Sequence, residues 1–117
     1  MSIDKFFDCK YDRRRYNCYH FTRDVWLDLT GRLLVLDESI FLNGKLTKAY
    51  VRQFVSIVKP VSPCIVVMQR KGFAPHVGVY VRGNVFHIQI NGPEYQPVDV
   101  ASRGFQTIRF ALCPALQ

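Results

Sequence analysis

The sequence predicts an α+β domain in which one N-terminal helix packs on a small antiparallel β-sheet. Two observations lead to this prediction: apolar residues recur at helical spacing in the first third of the chain and at strand-like spacing from Cys64 onward. Helices that precede the strands, rather than alternating with them, are typical of α+β proteins. At 117 residues the chain is long enough for one core, so we expect residues 1–117 to form a single domain.

The clearest helical pattern runs from Tyr16 to Gly31, with a cysteine in its first turn. Apolar side chains line one face of this helix, at Cys18, Phe21, Val25, Trp26 and Leu29. Asn17 is a suitable N-cap and Gly31 a suitable residue to end the helix. A thiol at a helix N-terminus lies near unpaired backbone N–H groups, which favour the thiolate. Cys18 is therefore a candidate nucleophile, although an apolar helix face also holds ordinary core cysteines.

The segments around this helix comprise an arm, a connection and a second helix. Residues 1–15 are expected to begin with a short helix, and Phe6 and Phe7 to anchor this arm to the core. The connection after the first helix is apolar but irregular and closes with an Asn-Gly turn signal. Thr47 is predicted to cap a second helix that extends to about Val58. Its predicted buried face comprises Tyr50, Phe54, Ile57 and Val58.

From Cys64 the chain contains four runs of β-branched and aromatic residues bounded by Gly, Pro and Asn, the pattern of β-strands. The runs are CIVVM, HVGVYV, VFHIQI and TIRFAL. In the second run, period-2 alternation places His76, Gly78 and Tyr80 on one face of the sheet and three valines on the other. The valine face is expected to be core, which leaves His76 as a candidate general base.

His87 lies on the strand after His76, and the register of this hairpin decides whether the two rings meet. A turn over residues 81–84 places Gln89 opposite His76 and makes the two imidazoles diagonal neighbours within reach of each other. A turn at Gly83 and Asn84 alone moves His87 too far along the strand. In that register Gln89 or Asn91 would be better placed to orient His76.

Cysteine spacing and hydropathy exclude several classes of protein. The four cysteines contain no CxxC pair, so the zinc-ribbon and thiol-redox spacings are absent, and we expect neither a metal nor a cofactor. No run approaches the ~18 apolar residues of a membrane span. Acidic residues interrupt the N-terminal stretch where a signal peptide is apolar. We therefore expect no membrane span, and synthesis in the cytoplasm without a signal peptide.

The charge of the chain favours an anionic partner. The formal net charge is +7, which suits an acidic polymer such as cell wall or an acidic protein surface. Nucleic acid is not an expected partner, because no known nucleic-acid module and no aromatic ladder accompany the basic residues.

Three motifs together resemble the NlpC-type cysteine peptidases, papain-like enzymes that cut peptide bonds in bacterial cell walls. The motifs are Tyr16-Asn17-Cys18 before an apolar helix, the HVGVY run that opens a strand, and Val85-Phe86-His87 on the next strand. The resemblance implies a papain-like NlpC-type fold whose N-terminal helix carries the nucleophile. It implies Cys18 as nucleophile, His76 as base and His87 as the residue that orients the base. The candidate oxyanion and substrate-binding residues are Tyr11, Tyr16, Asn17 and Gln89.

The function implied by this resemblance is a cysteine endopeptidase that cleaves peptidoglycan stem peptides. Short members without a signal peptide resemble peptidases carried in bacteriophage tail tips, which implies a virion location and neighbouring tail proteins as partners. Relatives usually have an aspartate before the cysteine to receive the substrate's amine, whereas this chain has Asn17. That departure motivates one alternative, a catalytically inactive structural tail-tip or adaptor protein of the same fold. An acyltransferase or other thiol hydrolase is a third possibility.

Overall fold

The computed structural model describes residues 3–36, 38–43 and 55–112, and these ranges form helices around an antiparallel sheet. The strands are β1 (Val55–Ile57), β2 (Cys64–Gln69), β3 (His76–Val81), β4 (Asn84–Gln89), β5 (Gly92–Pro97) and β6 (Thr107–Leu112). They lie in the order β1-β6-β2-β3-β4-β5. The helices are α1 (Cys18–Thr30), α2 (Ile40–Asn43) and α3 (Val98–Ala101), and a 3₁₀ turn spans Asp4–Phe6. The predicted α+β class is confirmed.

Helix α1 begins and ends where the sequence predicts. Asn17 is its N-cap, and Gly31 ends it in the left-handed conformation with a φ of 73°. The apolar face of α1 packs against β3 and β4 and buries Phe21 completely. On the same helix, the Thr22 hydroxyl donates to the Val77 carbonyl at 3.2 Å. This bond ties the first turns of α1 to the start of β3.

All four predicted strands are present, as β2, β3, β4 and β6. The sequence pattern did not predict strand β5, because its run GPEYQP contains two prolines and no β-branched residue. Proline cannot donate to a β-ladder, so it is confined to edge strands and similar positions, and β5 is an edge strand. A turn at Ile90 and Asn91 joins it to β4, with Gln89 paired to Gly92.

The predicted second helix is wrong at its C-terminal end. Residues Val55–Ile57 form strand β1 and pair with β6, while residues 47–54 lie outside the described residues. A short apolar run is compatible with either structure, and here the pairing with β6 decides. Val58, which was expected on the buried side of a helix, is 97% exposed. The connection after α1 also differs from the prediction, since it contains the short helix α2.

The sheet separates two apolar clusters, as the predicted alternation along β3 requires. Val77, Val79 and Val81 belong to the cluster under α1. Tyr80 belongs to the cluster on the opposite face, which includes Ala101 of α3. His76 is on the Tyr80 face by alternation, at the end of β3 nearest the start of α1.

The N-terminal arm is anchored by Phe6 and Phe7, as the sequence predicts. The Phe6 ring lies edge-on to Phe21 and Phe86, with centroid distances of 6.2 and 6.3 Å. The Phe7 ring lies 5.1 Å from that of Phe86. Because Phe21 is on α1 and Phe86 on β4, the arm clamps the helix to the sheet and brings residues 8–16 to the N-terminus of α1.

Candidate active site

Cys18 is the first residue of α1, and a reciprocal cap positions it. The side-chain oxygen of Asn17 accepts the Tyr19 N–H at 2.9 Å, and Nδ1 of His20 accepts the Asn17 N–H at 3.0 Å. The Asn17 amide also donates to the Arg13 carbonyl at 3.0 Å. Asn17 is only 2% exposed, so both polar atoms of its side chain serve the cap. The cap fixes the backbone that carries the Cys18 thiol.

Burial outweighs the helix N-terminus in setting the charge of this thiol. The backbone N–H groups of Val77, Tyr19 and Cys18 itself donate toward Sγ and act to lower its pKa. Cys18 is 7% exposed, and this burial raises the pKa of the thiol to about 11. The predicted donors are present, but the expected preference for the thiolate is wrong because desolvation is the larger effect.

The imidazoles of His76 and His87 are hydrogen-bonded, with His76 Nε2 2.8 Å from His87 Nδ1. The pairs Val79↔Phe86 and Val81↔Asn84 set the register and leave Arg82 and Gly83, both at positive φ, as the turn residues. This is the register in which the two histidines are diagonal neighbours. His87 is therefore hydrogen-bonded to the predicted base.

The histidine pair continues into β5 through Gln96 and Glu94. His87 Nε2 lies 2.8 Å from Oε1 of Gln96, and Nε2 of Gln96 donates to Oε2 of Glu94 at 2.8 Å. A carboxylate only accepts hydrogen bonds, so Glu94 holds the amide nitrogen of Gln96 and turns the amide oxygen toward His87. This one constraint fixes which atom donates and which accepts in each hydrogen bond from Glu94 to His76.

The tautomers of both histidines follow from this constraint. Because Gln96 presents an acceptor, His87 carries its proton on Nε2 and accepts at Nδ1. His76 then donates from Nε2 to His87, which leaves the lone pair of His76 on Nδ1. A neutral imidazole with a free Nδ1 lone pair can accept a proton, as a general base must.

Burial favours the neutral form of both imidazoles. Burial, followed by repulsion from His87, lowers the pKa of His76 to about 3. The residue keeps partial exposure at the cavity described below, but its ring is stacked on Phe105 at 5.5 Å and surrounded by protein. Burial also lowers the pKa of His87, against the opposing effects of Gln96 and Glu94.

One cavity of about 880 Å³ is lined by both Cys18 and His76, together with the predicted residues Tyr11 and Gln89. Within the described ranges no hydrogen bond or ion pair joins Cys18 to His76, so the two groups share the cavity as a neutral thiol and a neutral imidazole.

The remaining predicted residues differ in their relation to this cavity. Tyr11 lines it, and burial followed by the influence of Cys18 raises the pKa of its phenol. Tyr16 does not line it: its hydroxyl donates to Asp24 at 2.8 Å and accepts from the Cys9 thiol at 3.7 Å. Burial and the bond to Asp24 raise the pKa of Tyr16. Tyr16 thus supports α1, as Asn17 does.

Sequence reasoning missed Gln96 and Glu94 because β5 was not predicted. The pairing of His87 with Glu94 follows directly once β5 is placed beside β4. An Asn-Gly pair at residues 91 and 92 is a hairpin signal between the two strands, and it could have led to them.

Gly78 makes the close approach of the histidines possible. A Cβ at this position would lie 2.9 Å from Cβ of His87 and 3.0 Å from the carbonyl oxygen of Phe86. The neighbour that Gly78 accommodates is strand β4. If a methyl group at position 78 displaced the β4 backbone, His87 would move away from His76.

We expect Gly78→Ala to destabilise the protein by ~1–3 kcal/mol, the range for overpacking. The measurement is urea unfolding followed by fluorescence of Trp26, the one tryptophan of the chain. Ser56→Ala, on the exposed strand β1, is the control and should change stability little. Equal stabilities of the Gly78→Ala and Ser56→Ala variants would contradict the close approach.

A second expectation concerns the reactivity of the thiol. With a pKa of about 11, Cys18 should react slowly with iodoacetamide at neutral pH, and its rate should still rise above pH 9. Peptide mapping by mass spectrometry separates Cys18 from the other cysteines. His76→Ala should leave this profile unchanged because no ion pair is broken. A rate that reaches a plateau below pH 8, and loses it in His76→Ala, would instead demonstrate a thiolate–imidazolium pair.

Residues 3–36, 38–43 and 55–112 contain no group of three or more His, Cys, Asp or Glu side chains arranged to hold a metal ion. No helix in the same ranges is long and apolar enough to cross a membrane. Comparison with known proteins finds no matching family model, no matching curated protein and no matching solved structure.

Proposed function

We propose that this protein is a cysteine peptidase in which Cys18 is the nucleophile and His76 the general base. The observation that carries the proposal is the cavity shared by the thiol and an imidazole whose free lone pair is fixed on Nδ1. A nucleophile, a base and a group that orients the base form the minimum set for covalent acyl transfer. His87, held by Gln96 and Glu94, is the orienting group.

The reaction starts from neutral groups. As Sγ of Cys18 attacks the amide carbonyl, its proton passes to Nδ1 of His76, and the imidazolium returns the proton to the departing amine. Water then attacks the thioester, loses a proton to His76, and releases the acid and the thiol. Proton transfer requires Sγ and Nδ1 within hydrogen-bond reach, and such contacts commonly tighten only when substrate binds.

The negative charge of the tetrahedral intermediate forms beside the start of α1. The N–H of Cys18 is a candidate donor to this oxygen, because helix N-termini direct unpaired N–H groups toward anions. The Tyr11 hydroxyl, which lines the same cavity, is the second candidate. Its raised pKa keeps the phenol protonated and able to donate.

The proposed substrates are peptidoglycan stem peptides, and the proposed location is a bacteriophage tail tip. The HVGVY motif and the order of cysteine helix and histidine strands support this assignment through their resemblance to NlpC-type peptidases. The net charge of +7 supports binding to the anionic wall or to acidic neighbouring tail proteins.

A structural tail-tip or adaptor protein is the second candidate function. The observation that favours it is the protonated, 7% exposed thiol of Cys18, since buried cysteines with raised pKa values are commonly inert. In this alternative the histidine network would serve only to join β3, β4 and β5.

Digestion of purified peptidoglycan separates the two functions. The wild-type protein should release stem-peptide fragments with new amino termini, detected by liquid chromatography and mass spectrometry. Cys18→Ala should release none, while its circular dichroism and thermal unfolding match the wild type. Identical fragment profiles from the two proteins would overturn the peptidase and favour the structural role.

A further inference from the structure

The charged side chains among the described residues that line the cavity around Cys18 are all basic. Two arginines line it, Arg13 from the N-terminal arm and Arg70 from the segment after β2. Neither aspartate nor glutamate occurs among its lining residues in the described part of the chain. Among the described residues, the charged groups that line the cavity are therefore the two guanidinium groups.

Neither arginine has an acidic partner among residues 3–36, 38–43 and 55–112. Arg13 donates from Nη2 to the Leu42 carbonyl at 2.9 Å, which occupies only part of its donor capacity. The Arg70 guanidinium lies over the Phe73 ring at 3.9 Å from its centroid. Stacking fixes the plane of this guanidinium and leaves its edge N–H groups available for an anion.

Apolar surface lies beside these charges. Phe73 is 59% exposed and Ile90 is 80% exposed, and both line the cavity. Guanidinium groups next to exposed apolar side chains fit a ligand that carries a carboxylate on an aliphatic stem. A free amine, in contrast, would find no acidic side chain among the described residues that line the cavity. Asn17, at the position before Cys18, uses both polar atoms of its side chain in the helix cap.

We propose that the cavity selects peptides that carry a free carboxylate beside the scissile amide, with Arg13 and Arg70 as its binding residues. This inference rests on the proposed peptidase and names its substrate class. The carboxylate accepts guanidinium N–H bonds and places the neighbouring carbonyl at Cys18. The peptidases that this chain resembles recognise the substrate's amine, whereas this cavity recognises an acidic group.

The test is a binding measurement with a matched pair of peptides. Both are L-alanyl-γ-D-glutamyl-L-lysine amide, one with the free α-carboxylate of glutamate and the other with that group as a primary amide. Calorimetry on the Cys18→Ala protein measures binding without turnover. We expect the acid to bind at least about tenfold more tightly than the amide, because charge-assisted bonds to guanidinium are roughly twice as strong as neutral ones.

Three further substitutions in the Cys18→Ala protein test which arginines cause the preference for the acid peptide. Arg13→Gln and Arg70→Gln should each reduce it, while Arg32→Gln should keep it, since Arg32 is exposed beyond the far end of α1, about 20 Å from Cys18. If Arg13→Gln fails to fold because its bond to Leu42 is lost, Arg70→Gln carries the test. Equal binding of acid and amide, or a preference undiminished in the folded arginine variants, overturns the proposal.

Turnover of the acid peptide by the wild-type protein distinguishes this inference from the function on which it rests. Cleavage without a preference for the acid would overturn the carboxylate site and leave the peptidase. A preference for the acid without cleavage would overturn the peptidase and support the carboxylate site.

Discussion

Replacing His76 with alanine is expected to lower the rate of amide cleavage by ~10²–10⁴-fold, the usual contribution of a positioned general base. The variant keeps Cys18 and the cavity but loses the acceptor for the thiol proton. Since the pKa of that thiol is raised to about 11, little thiolate exists at pH 7 to react without a base. The measurement is kcat/KM for a stem peptide across pH 6–10.

The dependence of kcat/KM on pH tests the role of His76 most directly. In the variant, activity should rise with pH toward the pKa of Cys18, because only hydroxide-dependent formation of thiolate remains. Gln96→Met keeps a side chain of similar length but removes the acceptor that fixes the His87 tautomer, so it should cause a smaller loss than His76→Ala. Unchanged kcat/KM in His76→Ala would exclude His76 as the base.

Acidification is expected to destabilise the protein well above the pH at which carboxylates titrate. The pKa of His76 is about 3 in the folded protein and ~6.5 in an unfolded chain. Below pH 6.5 the unfolded state therefore binds more protons, so stability is complete above this value and is lost as pH falls. His76 alone should cost ~1.4 kcal/mol per pH unit, or ~2 kcal/mol by pH 5. The lowered pKa of His87 acts in the same direction.

Urea unfolding between pH 7.5 and 4.5, followed by Trp26 fluorescence, measures this loss. This pH range is informative because the lowered pKa of Asp12 affects stability only below the ordinary carboxyl pKa of 3.8. The variant His76→Gln should have a shallower dependence on pH, whatever its stability at pH 7.5. A free energy of unfolding that stays constant from pH 7 to 5 would show that the imidazoles are not buried as neutral groups.

Local sequence patterns were sufficient for the elements that carry the candidate site. Helix α1 has its apolar stripe, its Asn17 cap and its Gly31 terminus within one continuous segment, so each signal could be read without knowledge of the rest of the chain. Strand β3 likewise shows its alternation within six residues, His76–Val81. The predicted candidates Cys18 and His76 come from these two elements, and both line the cavity.

The elements that the sequence missed depend on pairing rather than on local preference. Strand β1 was assigned to a helix because a short apolar run fits both structures, and only its ladder with β6 distinguishes them. Strand β5 has the composition of a loop, and its position at the sheet edge tolerates its prolines. Gln96 and Glu94 were missed with it, although they fix the tautomer of His87.

By itself the sequence determined the class of fold, the two ends of α1 and four strands, and it proposed Cys18 and two histidines as candidates for chemistry. The tertiary structure decided which of these side chains are in contact and which are protonated. The register of β3 and β4 was open in the sequence, and the turn at Arg82 and Gly83 decided that the histidine rings touch. Cys18 is a neutral thiol rather than the expected thiolate, because desolvation depends on every atom packed around a thiol, whereas the helix N-terminus is a local feature.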